Sequence, residues 1–192
     1  MSRKRSTSTT TRSSPPQRPF ALALGGNLDD SRKIFAAALA RLEATLGPLV
    51  VAPLYLSGPV SPIPQPPYLN TVVIGHCGLA AEHLLAITRQ VELDFGRERN
   101  GGQVAEAPRT LDLDLLLLGE ELRSGAAPLL PHPRLRQRRF VLAPLCDVAP
   151  GWRIPPDGAT ACELLRRLPP SPWAERLPGP LRDAPVATCR EP

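Results

Sequence analysis

Two aspartates one residue apart, Asp112 and Asp114, open an apolar run, Leu115-Leu116-Leu117-Leu118, that stops at Gly119. A short apolar run bounded by glycine reads as a buried β-strand, and strand side chains alternate between faces. Asp112 and Asp114 therefore point the same way at the mouth of the strand. Carboxylates this close repel each other and are costly to bury unpaired. Cations between them remove that cost, and hard oxygen ligands suit Mg2+, which binds through one or two carboxylates plus substrate phosphates. Arg109 enters just upstream with a guanidinium able to clamp phosphate. Further cations stand at Arg97, Arg99, His132 and Arg138, and the chain has no Gly-x-x-x-x-Gly-Lys-Ser/Thr loop. Phosphate would then be held by side chains rather than by a P-loop. Taken alone, the aspartate pair also reads as an acidic patch on a half-exposed strand, and each arginine as a solvated surface residue.

The elements that must position these groups follow from periodicity. Phe20, Leu22 and Leu24 alternate with small residues and predict a first strand that ends in a tight turn at Gly25-Gly26-Asn27. Asp29, Asp30 and Ser31 offer caps to a helix whose inward face is Ile34, Phe35, Leu39, Leu42 and Leu46, ended by Gly47-Pro48. Residues 49–56 predict a second strand and 68–76 a third, joined by a Pro-rich loop over 57–67. A second helix is expected over 80–95, with Leu84, Leu85, Ile87, Val91 and Phe95 inward and Gly96 as its stop. A polar loop over 97–108 leads to the aspartate strand, and a late helix is expected over 161–168. The order βαββαβ predicts an α+β, ferredoxin-like sandwich, a mainly antiparallel sheet with helices packed on it.

At 192 residues the chain has room for one domain with a real core. The formal charge of +5 is matched by Arg3, Lys4, Arg5, Arg12 and Arg18, which share residues 1–18 with no acid, so the remainder is neutral. That Ser/Thr/Arg-rich stretch reads as a disordered basic tail. It lacks the apolar core of a secretory signal, and as a transit peptide it would lack an amphipathic apolar face. No segment is long and apolar enough to cross a membrane. Cys77, Cys146, Cys162 and Cys189 lie far apart with no Cys-x-x-Cys pair, which argues against a zinc site and a disulfide framework and for reduced, cytoplasmic thiols. Pro169-Pro170-Ser171-Pro172 starts a C-terminal tail, 169–192, with little means to pack, leaving 19–168 as the domain.

The run Arg109-Thr110-Leu111-Asp112-Leu113-Asp114 with its apolar strand resembles the signature of the 6-hydroxymethyl-7,8-dihydropterin pyrophosphokinase family of folate biosynthesis. Four further segments agree in order: Ala23 to Leu28, Gln65 to Asn70, Glu92 to Arg99, and Pro131-His132-Pro133 with Arg138 to Leu142. The resemblance implies the family's fold, elaborated with extra strands. It also implies that a monomer transfers the β,γ-diphosphate of ATP to the hydroxymethyl group of the pterin and releases AMP. Asp112 and Asp114 would hold two Mg2+ ions, with Arg97 and Arg109 beside them as catalytic cations. Glu92, Arg99, Arg109, His132 and Arg138 would bind ATP. Ser57, Val60, Tyr68, Asn70 and Phe140 would bind the pterin. A flat bicyclic ring needs aromatic faces around it and an amide that both donates and accepts; without the resemblance, Tyr68 and Phe140 read as ordinary core. Pyrophosphoryl transfer is mostly positioning and charge neutralisation, for which metals and several cations are suited.

Three departures from the family's pattern stand out. Leu56-Ser57-Gly58-Pro59-Val60-Ser61 replaces its usual Thr-Pro-Pro-x-Gly segment, the loop before Arg109 is longer and has no tryptophan, and Gly26 stands where serine is usual. The changed loops leave one alternative, a homologue that binds pterin or nucleotide without turnover. A second alternative, an RNA-binding ferredoxin-like domain with a basic arm, needs exposed aromatics on its sheet. With 4% aromatics and none among basic residues, neither nucleic acid nor a membrane is an expected partner.

Overall fold

The computed structural model describes residues 15–60, 64–96 and 107–181. Its centre is β1 (Arg18–Gly26), which sends Phe20, Leu22 and Leu24 to one face and Ala21 to the other, all buried. It pairs antiparallel with β4 (Tyr68–Cys77) on one side and β5 (Asp112–Leu118) on the other. Beyond β4 lie β2 (Val50–Val51), β3 (Tyr55–Ser57) and β8 (Ala174–Arg176), which complete six strands in the order β5-β1-β4-β3-β8, with β2 also on β4. The single strand expected over 49–56 is thus two. Pro53 has no N–H to give the ladder, and Thr71 Oγ1 donates instead to the carbonyls of Ala52 and Pro53, at 2.9 and 3.4 Å.

The helices α1 (Ser31–Leu46) and α2 (Ala81–Asp94) cover the face bearing Phe20, Leu22 and Leu24. The Asp30 carboxylate caps α1 by accepting the Lys33 N–H at 3.3 Å, and Gly96, at φ +81°, follows α2 as expected. The opposite face, with Ala21, Val72, Leu116 and Leu117, is buried under α3 (Arg139–Val148) and α4 (Ala161–Arg167). The βαββαβ sandwich is therefore present but capped on both sides. Helix α3 was not expected, because Pro144 sits inside it and no side chain caps its start, so the usual sequence marks are missing. A two-stranded ribbon, β6 (Arg153–Ile154) and β7 (Ala159–Thr160), leads into α4.

Both expected tail boundaries shift. Arg18 belongs to β1 and is tied down by Glu121 Oε2 at 2.6 Å and the Leu79 carbonyl at 2.9 Å. The Pro-rich segment after residue 168 supplies β8, which pairs with β3 through Ala174, Glu175 and Arg176. The thiol expectation is also corrected. Cys146 on α3 and Cys162 on α4 form a disulfide, Cα–Cα 5.2 Å, brought together by helix packing across sixteen residues with no local motif. Cys77 is free and buried.

Candidate active site

The register of three strands builds the floor. Gly25 of β1 faces Asn70 of β4 on one side and Asp112 of β5 on the other, and Ala23 faces Val72 and Asp114. Residues paired across strands share a face, so a glycine and an alanine lie between the amide and the two carboxylates. A Cβ at Gly25 would stand 3.5 Å from Asn70 Oδ1, so any larger side chain would rise into the open slot. At Gly26 a Cβ would lie 2.4 Å from the Thr110 carbonyl oxygen, and only glycine lets the two backbones approach. The expected tight turn at these glycines is instead the end of the strand itself.

β5 is fixed from both ends. Glu92, 1% exposed beneath the strand, accepts the Leu113 N–H at 2.8 Å. It was expected at ATP; the structure puts its carboxylate behind the aspartate strand, away from the cleft lining. Farther along, Ala21 and Leu22 pair with Leu117 and Leu115, leaving Leu116 as the extra residue of a bulge. The Leu116 carbonyl accepts the His132 N–H at 2.9 Å, which seats the His132 segment beside Asp114.

Each carboxylate has a cation. Arg109 Nη1 donates to Asp112 Oδ2 at 2.8 Å, and Arg138 Nη1 to Asp114 Oδ2 at 2.9 Å. His132 Nε2 lies 3.6 Å from Asp114 Oδ2. Burial pushes the His132 pKa down, more than the Asp114 charge raises it, and Arg138 pushes it down further. The ring is thus neutral at pH 7. Its Nδ1 accepts the Arg134 N–H at 3.2 Å, so the ring proton is on Nε2, toward Asp114. Arg138 also lies over the Phe140 ring, 5.5 Å from its centroid, a cation–π arrangement that holds both side chains in place.

These groups line a cleft of about 480 Å³, a size suited to a small-molecule ligand. Its lining brings Arg109, Asp112, Asp114 and Arg138 together with Ser57, Val60, Tyr68, Asn70 and Phe140. Asn70 is 4% exposed and its Nδ2 donates to Ser57 Oγ at 3.0 Å and the Tyr68 carbonyl at 3.1 Å, which fixes its Oδ1 beside the Gly25 floor. Tyr68 Oη donates to Gln65 Oε1 at 2.8 Å. Arg97 and Arg99 lie outside the described residues.

Several lining residues escaped the sequence reading. Gln65 lies in the family-like segment Gln65 to Asn70 without a side chain that marks it as a ligand contact, and Arg134 and Gln137 lie between His132 and Arg138. Pro172 comes from the presumed tail, where no signal pointed to a site. Asn27 acts as a latch: its Nδ2 donates to Gln65 Oε1 and the Pro66 carbonyl, while its Oδ1 accepts the Arg109 N–H at 2.9 Å. Among the described residues no group of three His, Cys, Asp or Glu could enclose a metal. The donor set on offer is two carboxylates, which need oxygen atoms from a ligand to complete a hard-cation site.

A family model described as 7,8-dihydro-6-hydroxymethylpterin-pyrophosphokinase matches residues 21–150. A 2-amino-4-hydroxy-6-hydroxymethyldihydropteridine pyrophosphokinase from Pseudomonas aeruginosa is 42% identical over 160 residues, covering 82% of this chain and 96% of that protein. The Synechocystis protein of the same description is 35% identical over 149 residues, 77% of this chain and 74% of the relative. A mitochondrial folate synthesis bifunctional protein of Arabidopsis thaliana is 37% identical over 144 residues, which is 74% of this chain and 25% of that protein. Among solved structures, a Plasmodium falciparum HPPK-DHPS superposes with TM-score 0.60 at 13% identity, over 79% of this chain and 43% of the solved one. That likeness shows the fold alone, and this chain spans about two fifths of the solved protein's length.

Proposed function

The chain belongs to the 7,8-dihydro-6-hydroxymethylpterin-pyrophosphokinase family and is a pyrophosphokinase of folate biosynthesis, and from that premise we propose how its cleft serves two substrates. ATP and the reduced pterin follow from the family. The pterin takes the end bounded by Ser57, Val60, Tyr68, Asn70 and Phe140, its ring on the Gly25–Ala23 floor. Asn70 Oδ1 offers an acceptor to the ring edge, and Phe140 an aromatic face. The triphosphate takes the cationic end, where Arg109 and Arg138 turn from carboxylate to phosphate and neutral His132 donates from Nε2. Arg97 and Arg99 join them on the strength of the resemblance. Glu92 serves the nucleotide end by holding the Leu113 backbone and hence the spacing of the two aspartates.

The family is generally Mg-dependent, and the paired carboxylates, open toward the cleft, fit hard cations. Asp112 and Asp114 would hold two Mg2+ ions, which neutralise phosphate charge and lower the pKa of the attacking hydroxyl. The protein's own work is to set the hydroxymethyl oxygen in line with the β-phosphorus and to keep water from competing. Attack breaks the α–β phosphoanhydride bond, so diphosphate goes to the pterin and AMP leaves. We further propose a monomer that works through one catalytic domain, with the basic N-terminal stretch outside the chemistry. No helix among the described residues is long and apolar enough to cross a membrane.

The observation that carries this division is the row Asn70–Gly25–Asp112, which sets a flat slot directly beside two carboxylates. The test is AMP formation from ATP with 6-hydroxymethyl-7,8-dihydropterin and Mg2+. AMP should appear only with all three present. AMP release indifferent to the pterin would reject the pterin slot.

A further inference from the structure

The least family-like wall of the cleft is the segment Ser57–Val60, and it is held from outside. β3 ends at Ser57, which pairs with Ala174 of β8. Trp173 immediately precedes β8, and Gly58 immediately follows β3. A Cβ at Gly58 would meet Trp173 Nε1 at 2.9 Å, Cε2 at 3.4 Å and Cδ1 at 3.6 Å, so its three nearest atoms all belong to the indole. Gly58 is not among the glycines with positive φ. It is therefore the indole, and not the backbone conformation, that requires glycine here.

Trp173 takes no part in either apolar core and remains 43% exposed. Its indole instead lies against Gly58 of the cleft wall. Pro172 beside it lines the cleft directly, as do Ser57, Gly58 and Val60. Ser57 in turn accepts from Asn70 Nδ2 at 3.0 Å. The contacts run without a break from the C-terminal strand to the amide on the cleft floor. Pro172, Trp173 and β8 lie beyond residues 21–150, which the family model matches, whereas Ser57, Gly58, Val60 and Asn70 lie within them.

We propose that Trp173 is a positioning residue for the pterin. By packing on Gly58 it fixes the Ser57–Val60 backbone, and with Pro172 it closes the pterin end of the cleft. The proposal rests on the pterin assignment above. It predicts a defect confined to one substrate, because the chain of contacts from Trp173 runs through Gly58 and Ser57 to Asn70.

The experiment is a double-mutant cycle on the full chain, read as KM for 6-hydroxymethyl-7,8-dihydropterin, KM for ATP, kcat and Tm. Trp173→Ala should raise the pterin KM about tenfold and leave the ATP KM within about twofold, the mark of lost binding of one ligand. Trp173→Phe, which keeps a ring over Gly58, should recover most of that loss. Gly58→Ala should also cost about tenfold, because its new methyl group displaces the indole. The pair together should cost about tenfold and not about a hundredfold, since contacting residues are not additive. Should Trp173→Ala fail to fold, Gly58→Ala and Trp173→Phe in the parent still decide: a pterin KM unchanged in Gly58→Ala overturns the proposal. So does an additive cycle, or a rise in both KM values together. A parent with no pterin-dependent AMP release overturns the substrate assignment and this inference with it. An active parent with indifferent variants overturns this inference alone.

Discussion

Asp112 and Asp114 carry the chemistry proposed here, and their neighbours make the point testable. Asp112→Asn or Asp114→Asn keeps a side chain for Arg109 or Arg138 to bond but removes a charge that a metal needs. Turnover should fall by about 10²-fold or more, on the scale of losing a major electrostatic stabiliser, with pterin affinity little changed. Near-parent turnover at saturating Mg2+ would remove the metal assignment. His132 offers a different test in the ligand-free protein. Burial holds its pKa below the ordinary 6.5, so as the pH drops the unfolded chain takes up this proton first. Stability should therefore fall as pH falls below about 6.5, and His132→Gln should flatten that part of a denaturation series run against pH. An unchanged slope would show the imidazole titrates alike in both states. Residues of this kind were legible to different degrees. The aspartates declared themselves by period-two spacing beside an apolar run. Glu92 did not, because a helix glutamate that reaches under a strand to a backbone N–H looks in sequence like any solvated one.

At the level of elements, the parts that read clearly were those whose apolar period is undisturbed. α1 and α2 put Phe35, Leu39, Leu42, Leu84 and Val91 into the core as their spacing required. Proline obscured the rest: Pro53 divides one strand into two, and Pro144 hides α3. Yet α3 is the element on which the site leans most, for Arg138 precedes it and Phe140 lies in its first turn. It packs against α4, whose start is a reciprocal cap: Thr160 Oγ1 accepts the Glu163 N–H at 3.2 Å, and Glu163 Oε2 accepts the Thr160 N–H at 2.8 Å. Thr160→Ala should cost about 1 kcal/mol of stability by loss of that cap, measurable as a lower midpoint in urea with unchanged slope. A midpoint equal to the parent's would mean that α4 is held by its packing alone. The bulge at Leu116 was not legible either, since four consecutive leucines give no clue to which one is extra.

For the molecule as a whole, the densest run of basic residues precedes the described part of the fold. Residues 1–14 contain Arg3, Lys4, Arg5 and Arg12, none of which matches a site segment. Deleting 1–14 should leave Tm and kcat/KM near the parent values, because the stretch is basic, Ser/Thr-rich and without apolar periodicity. A Cβ at Gly78 would come within 2.7 Å of Pro15 Cγ, so Pro15 already lies on the fold and must be kept. Loss of pterin-dependent turnover on deletion would bring the basic stretch into the reaction. The border expected after residue 18 falls four residues late, because proline and arginine look alike in a tail and at a strand's first residue. One consequence of the paired charges in the cleft reaches beyond any single residue. With Arg109 on Asp112 and Arg138 on Asp114, the protein carries an internal salt where its ligands must go. On the site proposed above, a lone metal ion competes with a guanidinium for its carboxylate, and a lone nucleotide competes with a carboxylate for its guanidinium. When metal and triphosphate arrive as one, the partners simply trade, carboxylate to metal and guanidinium to phosphate. If Asp112 and Asp114 hold the metal and Arg109 and Arg138 the triphosphate, as proposed, the resting ion pairs favour the metal–nucleotide complex over either half.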